Sequence, residues 1–255
     1  MVKILKVNQP GIEINNEEEE PQPIHREPLQ KPLRRSAMKL YAVFVLVIFG
    51  SLAAATDLAQ SSGSSATTLN KALQSELLRM EADDQKYREM LSAEMIKMSA
   101  SGTATASKEY IAAVKSQDEI DARNMARLEE IIKQYGWPGS SLVGEEAGKA
   151  AFLILQHSDL PHQEKYLPLL KEAAKKGEAR PADAAMLEDR VLVREGKKQI
   201  YGTQVSMSPE TGGKLVLDPI DDEEHVDERR ASVGLMPLAE YLKYFGIDYK
   251  PPQKK

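Results

Sequence analysis

From Leu69 the apolar positions recur at three- and four-residue spacings, through Leu73, Leu77, Met80, Tyr87, Leu91, Met95 and Met98. That period predicts one long amphipathic helix over 69–98. Asp84 occupies a position that the period assigns to the buried face, and Arg88, four residues on, can lie beside it on the helix surface. A Ser/Gly/Thr/Ala break over 99–107 leads to a second helix ending at Tyr135, where Gly136 supplies a left-handed stop and Pro138 prevents continuation. The buried stripe of its second half reads Asp121, Asn124, Leu128, Ile131, Tyr135, so two polar residues again interrupt an apolar face.

Glu145 and Glu146 suit the first turn of a third helix, whose run Ala150–Leu155 is apolar on every side and therefore expected to be covered all round. That run ends in Gln156-His157-Ser158-Asp159. Asp159 can cap a fourth helix with Pro161 in its first turn and Gly177 as its stop, and Pro181 and Asp183 open a fifth, to about Glu195. In the fifth helix Asp189 falls among Ala185, Leu192 and Val193. The period then changes: 199–207 and 214–217 read as strands joined by a Ser-Pro-Glu-Thr-Gly-Gly loop, a hairpin over 199–217. A last helical stretch carries Val233, Leu235, Leu238, Leu242 and Phe245. The pattern predicts a mainly α domain over 69–248, five to six helices packed around a buried central helix, with one antiparallel β-hairpin and a frayed tail at 249–255.

Upstream, the acidic, Pro-rich stretch 1–37 lacks apolar periodicity and reads as disordered or as a mis-assigned leader. Leu40–Phe49 is an unbroken apolar run, and Ala53, Ala54 and Ala55 supply small residues where a signal peptidase reads, so 38–55 is expected to be a signal peptide. The alternative is an uncleaved signal anchor with Arg34, Arg35 and Lys39 on the cytoplasmic side, a membrane tether through 40–55. Either way the domain is expected outside the cytoplasm, periplasmic, extracellular or membrane-anchored, and Ser/Gly/Thr/Ala-rich 56–68 reads as a linker.

Composition narrows the chemistry. The 255 residues carry a net charge of −5 with both signs interspersed, four Phe and one Trp, so a nucleic-acid-binding surface is not expected. The absence of cysteine excludes disulfides, thiolate metal sites and a catalytic Cys. No Gly-x-Ser-x-Gly elbow or strand-Gly-helix phosphate cradle is present, no cofactor is indicated, and His157, Asp159 and His162 lack a recognised metal-ligand spacing.

Several motifs in fixed order carry a resemblance: Met80 with Asp84-Gln85 and Arg88; Asp121 and Asn124; Gly136-Trp137-Pro138-Gly139; Val143-Gly144; Gln156-His157 with Asp159; Leu187-Glu188-Asp189-Arg190; Gln199 to Gln204; Pro219-Ile220; and Arg229-Arg230 with Gly234-Leu235. Together, over about 69–245, they resemble the bacterial family catalogued as domain of unknown function 6624. The resemblance implies the extent of the domain and a helical fold with a hairpin, and it implies no particular reaction.

Charges and amides on buried faces are costly unless paired, so Asp84, Asp121, Asn124, His157 and Asp189 must find partners. The reading taken first is a non-enzymatic module that binds a polar ligand or an envelope protein through Asp84, Arg88, Asp121, Asn124, Gln156, Arg190, Tyr201, Gln204 and Arg229. The first alternative is an envelope hydrolase with His157 as general base, oriented by Asp159 or Asp189, and Arg190 or Gln204 holding an anionic or carbonyl oxygen. The second is a structural protein whose polar network is purely internal. Helix 69–98 is long and Met-rich enough to serve as a homodimer seam.

Overall fold

The computed structural model describes residues 68–101, 106–208 and 214–252. The leader, the signal-like segment, all but the last residue of the linker, and residues 253–255 lie outside the described residues. The described chain is mainly α-helical with one small antiparallel hairpin. Helices α1 (Lys71–Gln85), α2 (Arg88–Ser101), α3 (Lys108–Tyr135), α4 (Ser140–Val143), α5 (Glu145–His157), α6 (Leu160–Lys175) and α7 (Pro181–Arg194) come first. Strands β1 (Val205–Ser208) and β2 (Lys214–Leu217) follow, then α8 (Val226–Ser232) and α9 (Leu238–Lys243).

Local chemistry sets the helix ends. Asn70 accepts the Leu73 amide at 3.0 Å, Ser107 the Tyr110 amide at 3.0 Å, and Asp159 the His162 amide at 3.0 Å, each satisfying a donor that the first turn leaves open. Gly136, at φ +75°, stops α3 as its position suggested. Tyr135, expected in the buried stripe, is 43% exposed, because α3 has outrun the core by its last turn.

The helix expected over 69–98 is divided at Lys86 and Tyr87. At the division the Asp84 carbonyl accepts a hydrogen bond from Gln117 Nε2 of α3 at 2.8 Å. A side chain on the neighbouring helix thus satisfies a backbone group that the end of α1 leaves open.

Every residue from Ala150 to Gln156 of α5 is buried, and the helix packs against α1, α3, α4 and α6. One apolar cluster joins it to Leu73, Leu77 and Met80 of α1, Met125, Leu128 and Ile131 of α3, Leu170 of α6 and Leu187 of α7. Trp137 packs into the same cluster. A smaller cluster of Val205, Ile220, Val226, Leu238 and Leu242 ties the hairpin to α8 and α9.

The hairpin pairs Val205 with Leu217 and Ser208 with Lys214. Its first strand begins six residues later than expected, and Gln199 forms only an isolated bridge to Ile220. The reason lies in α7. The Asp189 carboxylate accepts the amides of Ile200 (2.7 Å), Tyr201 (3.0 Å) and Thr203 (2.9 Å), so these donors serve a side chain rather than a strand ladder.

Candidate functional site

Three helix ends meet at one polar group. Asp84 stands in the last turn of α1, Arg88 begins α2, and His157 ends α5. Asp84 is 1% exposed, and His157 Nδ1 lies 2.9 Å and 3.0 Å from its two carboxylate oxygens. Arg88 grips the same carboxylate side-on, with Nη2 at 2.9 Å and Nε at 3.2 Å, and Gln85 Nε2 donates to it at 2.7 Å. Arg88 Nη2 also reaches Asp121 at 2.6 Å, so one guanidinium bridges two carboxylates. Asn124, one turn further along α3, donates to the Met80 carbonyl at 2.9 Å and pins α3 to α1.

Gln117 completes the group although the sequence reading passed over it. It is buried and donates to Asp121 Oδ1 at 2.8 Å as well as to the Asp84 carbonyl. The available signal was its spacing: Gln117, Asp121 and Asn124 recur at four and three residues and share one face of α3.

The electrostatics fix the protons. Burial raises the Asp84 pKa, but the hydrogen bonds and charges of His157 and Arg88 outweigh it and hold the carboxyl below its ordinary range. An ionised carboxylate can only accept, so His157 Nδ1 carries the hydrogen and Nε2 keeps its lone pair. Burial also pushes His157 down to about 4; the Asp84 carboxylate pulls the other way, while Arg88 and Arg190 reinforce the fall. The imidazole is therefore neutral near pH 7. Burial pushes Asp121 up despite Arg88, so two carboxylates sharing one cation are driven in opposite directions. The group is not sealed: the Arg88, Asp121 and His157 side chains are 25%, 17% and 7% exposed.

The other expected residues go elsewhere. Asp159, expected as a partner of His157, caps α6 and pairs with His162. Asp189 is saturated by the three loop amides and by Thr203 Oγ1 at 2.9 Å. Gln204 donates its amide nitrogen to Thr203 Oγ1 at 3.0 Å, and its backbone N–H donates to Gln199 Oε1 at 2.8 Å. Tyr201 lends its carbonyl to Arg230 Nη1 at 2.7 Å, and Arg229 donates to the carbonyls of Ile200, Asp221 and Asp222. Asp189, Tyr201, Gln204 and Arg229 thus form a second, internally bonded assembly that shapes the 199–204 loop. Gln156 and Arg190 are buried, each with side-chain polar atoms that have no hydrogen-bond partner.

A cavity of about 310 Å³ opens at the other end of α5, lined by Ser140, Glu145, Lys149, Glu178, Arg180 and Asp183 among others. Its charges are mixed, and Arg180 is committed to Asp183. Among the described residues no group of three or more His, Cys, Asp or Glu side chains is arranged to hold a metal ion.

Comparison with known proteins gives one match. The model of a family of unknown function (DUF6624) matches residues 71–250, which takes in both polar assemblies and the hairpin. No curated protein and no solved structure matches. The chain belongs to the DUF6624 family.

Proposed function

We propose that this domain is a cell-envelope hydrolase in which His157 acts as general base on water and Asp84 orients it. The observation that carries the reading is the contact of His157 Nδ1 with both Asp84 oxygens, in a carboxylate already fixed by Arg88. It supports one tautomer and one ring orientation, leaving Nε2 as the acceptor. Water, not Ser158, is the nucleophile, because Ser158 Oγ donates to the Leu155 carbonyl at 2.7 Å and closes the end of α5. As the water oxygen bonds to the electrophilic centre, Nε2 takes its proton. The scissile bond then breaks, and the departing group recovers that proton from the imidazolium. The envelope setting rests on the signal-like run Leu40–Phe49 followed by Ala53–Ala55.

A second reading is favoured by one observation. A base works best with a pKa near the working pH, and burial takes His157 to about 4, which weakens it as a proton acceptor. The same group would then bind a polar ligand without turnover. The two readings separate on a panel of chromogenic esters, phosphoesters and glycosides tested against wild type and His157→Ala. Hydrolysis by the wild type that is abolished in the variant supports the hydrolase; no turnover by either protein supports the binding module.

A further inference from the structure

Arg190 of α7 is 3% exposed, and its Nε and Nη2 have no hydrogen-bond partner. That is an expensive arrangement, because a guanidinium taken out of water needs an anion or a full set of acceptors. The carboxylate beside it in the chain and those of the Arg88 group are committed. Asp189, next in the chain, faces the 199–204 loop, while Asp84 and Asp121 are held by Arg88. Arg194, one turn along α7, donates to the Ser158 carbonyl at 3.0 Å and to Gln163 Oε1 at 3.1 Å, both neutral acceptors.

Arg190 belongs to the same neighbourhood as the dyad. Arg194, one turn from Arg190 on α7, bonds the carbonyl of Ser158, the residue after His157, and the charge of Arg190 helps to push the His157 pKa down. Arg190 is thus a further cation beside His157, and unlike Arg88 it has no carboxylate on its Nε and Nη2. Gln156, which precedes His157 on α5, is fully buried with both amide atoms unpartnered.

The two unpartnered atoms of Arg190 define what they would take. Nε–H and Nη2–H lie on one edge of the guanidinium, and this protein uses that edge repeatedly on carboxylates. Arg88 binds Asp84 through Nε and Nη2, Arg127 binds Glu76 at 2.6 Å and 3.2 Å, and Arg180 binds Asp183 through the same pair. Arg190 offers this two-donor edge with nothing on it. The matching ligand is a group with two oxygens sharing negative charge, a carboxylate or a phosphoryl group.

We infer that Arg190 is the anion-recognition residue of the His157 site and that its ligand carries a carboxylate or phosphoryl group held side-on by Nε and Nη2. This deepens the hydrolase reading by naming the substrate class, and it rests on that reading only for the word substrate. The test uses acetate and inorganic phosphate as probes, against chloride at matched ionic strength. Thermal denaturation and titration calorimetry are read on wild type, Arg190→Lys, Arg190→Gln and His157→Gln.

The wild type should show a saturable rise in melting temperature with one or both oxyanions, and the responding probe tells a carboxylate from a phosphoryl ligand. Arg190→Lys keeps the charge and loses the fork, so its affinity should fall about tenfold or more, as it should in Arg190→Gln, while His157→Gln keeps most of it. No saturable response in the wild type, or an equal one in Arg190→Lys, overturns the inference. Its fate is separable from that of the hydrolase. Anion binding that needs Arg190, with no turnover on any substrate, sustains the inference and sinks catalysis. Turnover lost in His157→Ala and unchanged in Arg190→Lys does the reverse.

Discussion

His157 and Asp84, 73 residues apart in the chain, meet through Nδ1 at 2.9 Å and 3.0 Å from the two carboxylate oxygens. The contact joins the C-terminal end of α5 to that of α1, so folding itself assembles the pair. Asp84→Asn should therefore do two things. Replacing the buried anion leaves Arg88 and the imidazole short of an acceptor and should cost about 3 kcal/mol of stability or more. It also removes the group that selects the tautomer, so turnover should fall by about two to four orders of magnitude. Urea unfolding with the same samples' kinetics checks both effects, and full activity in a normally folded Asp84→Asn would contradict the orienting role.

Stability should depend on pH through His157 in one direction. Burial holds the native imidazole at about 4, against an ordinary value of 6.5. Between those values the unfolded chain binds a proton that the folded chain refuses, so stability is complete above the upper value and is lost as pH falls toward the lower. The loss amounts to about 3 kcal/mol for such a displacement. His157→Asn should flatten that part of the curve. Denaturant midpoints at pH 7 and pH 4.5 for both proteins give the comparison, and parallel slopes would contradict it.

Asp189 should prove structural. Asp189→Asn replaces an acceptor of four hydrogen bonds with a group that can accept fewer, and stability should drop by about 1–3 kcal/mol. The sharper readout is local: amide exchange at Ile200, Tyr201 and Thr203 should accelerate well beyond that in the α5 core. Protection unchanged at those three amides would remove the account of the loop.

The same loop holds a position that only glycine fits. Gly202 has φ +68°, and a Cβ there would stand 2.8 Å from Ile220 Cδ1 and 3.0 Å from Leu238 Cδ1. Gly202→Ala combines an unfavourable backbone with a clash against the smaller apolar cluster. It should cost about 2 kcal/mol or more, seen as a lowered melting temperature. An unchanged or raised melting temperature would mean that the loop relaxes freely.

Much of this was written in the chain. Asp84, Asp121 and Asn124 stood out because each interrupts an apolar stripe; the two acids bind Arg88, and Asn124 pins α3 to α1 beside them. The ends of α3, α6 and α7 followed from Gly136, Asp159 and Pro181. Pairing was not legible. Asp159 and Asp189 were nearer candidates for His157 by sequence or by face, yet one was drawn into a helix cap and the other onto backbone amides, and nothing local reports that α1 packs on α5. The strand expected from Gln199 failed for a related reason. Its residues suit an extended chain, but their donors were claimed by a carboxylate on another element. Gln117 was overlooked because a neutral amide on a helix carries no cost signal until the helix is known to be covered there.

The most direct test of the central claim is an NMR pH titration of the His157 ring nitrogens. The imidazole should be neutral, with hydrogen on Nδ1 and a lone pair on Nε2, persisting as pH falls through 6.5 and yielding only near 4, with that preference lost in Asp84→Asn. A hydrogen on Nε2 would show that Asp84 does not hold His157 ready as a base, and ordinary protonation near 6.5 would show that burial does not keep the imidazole neutral.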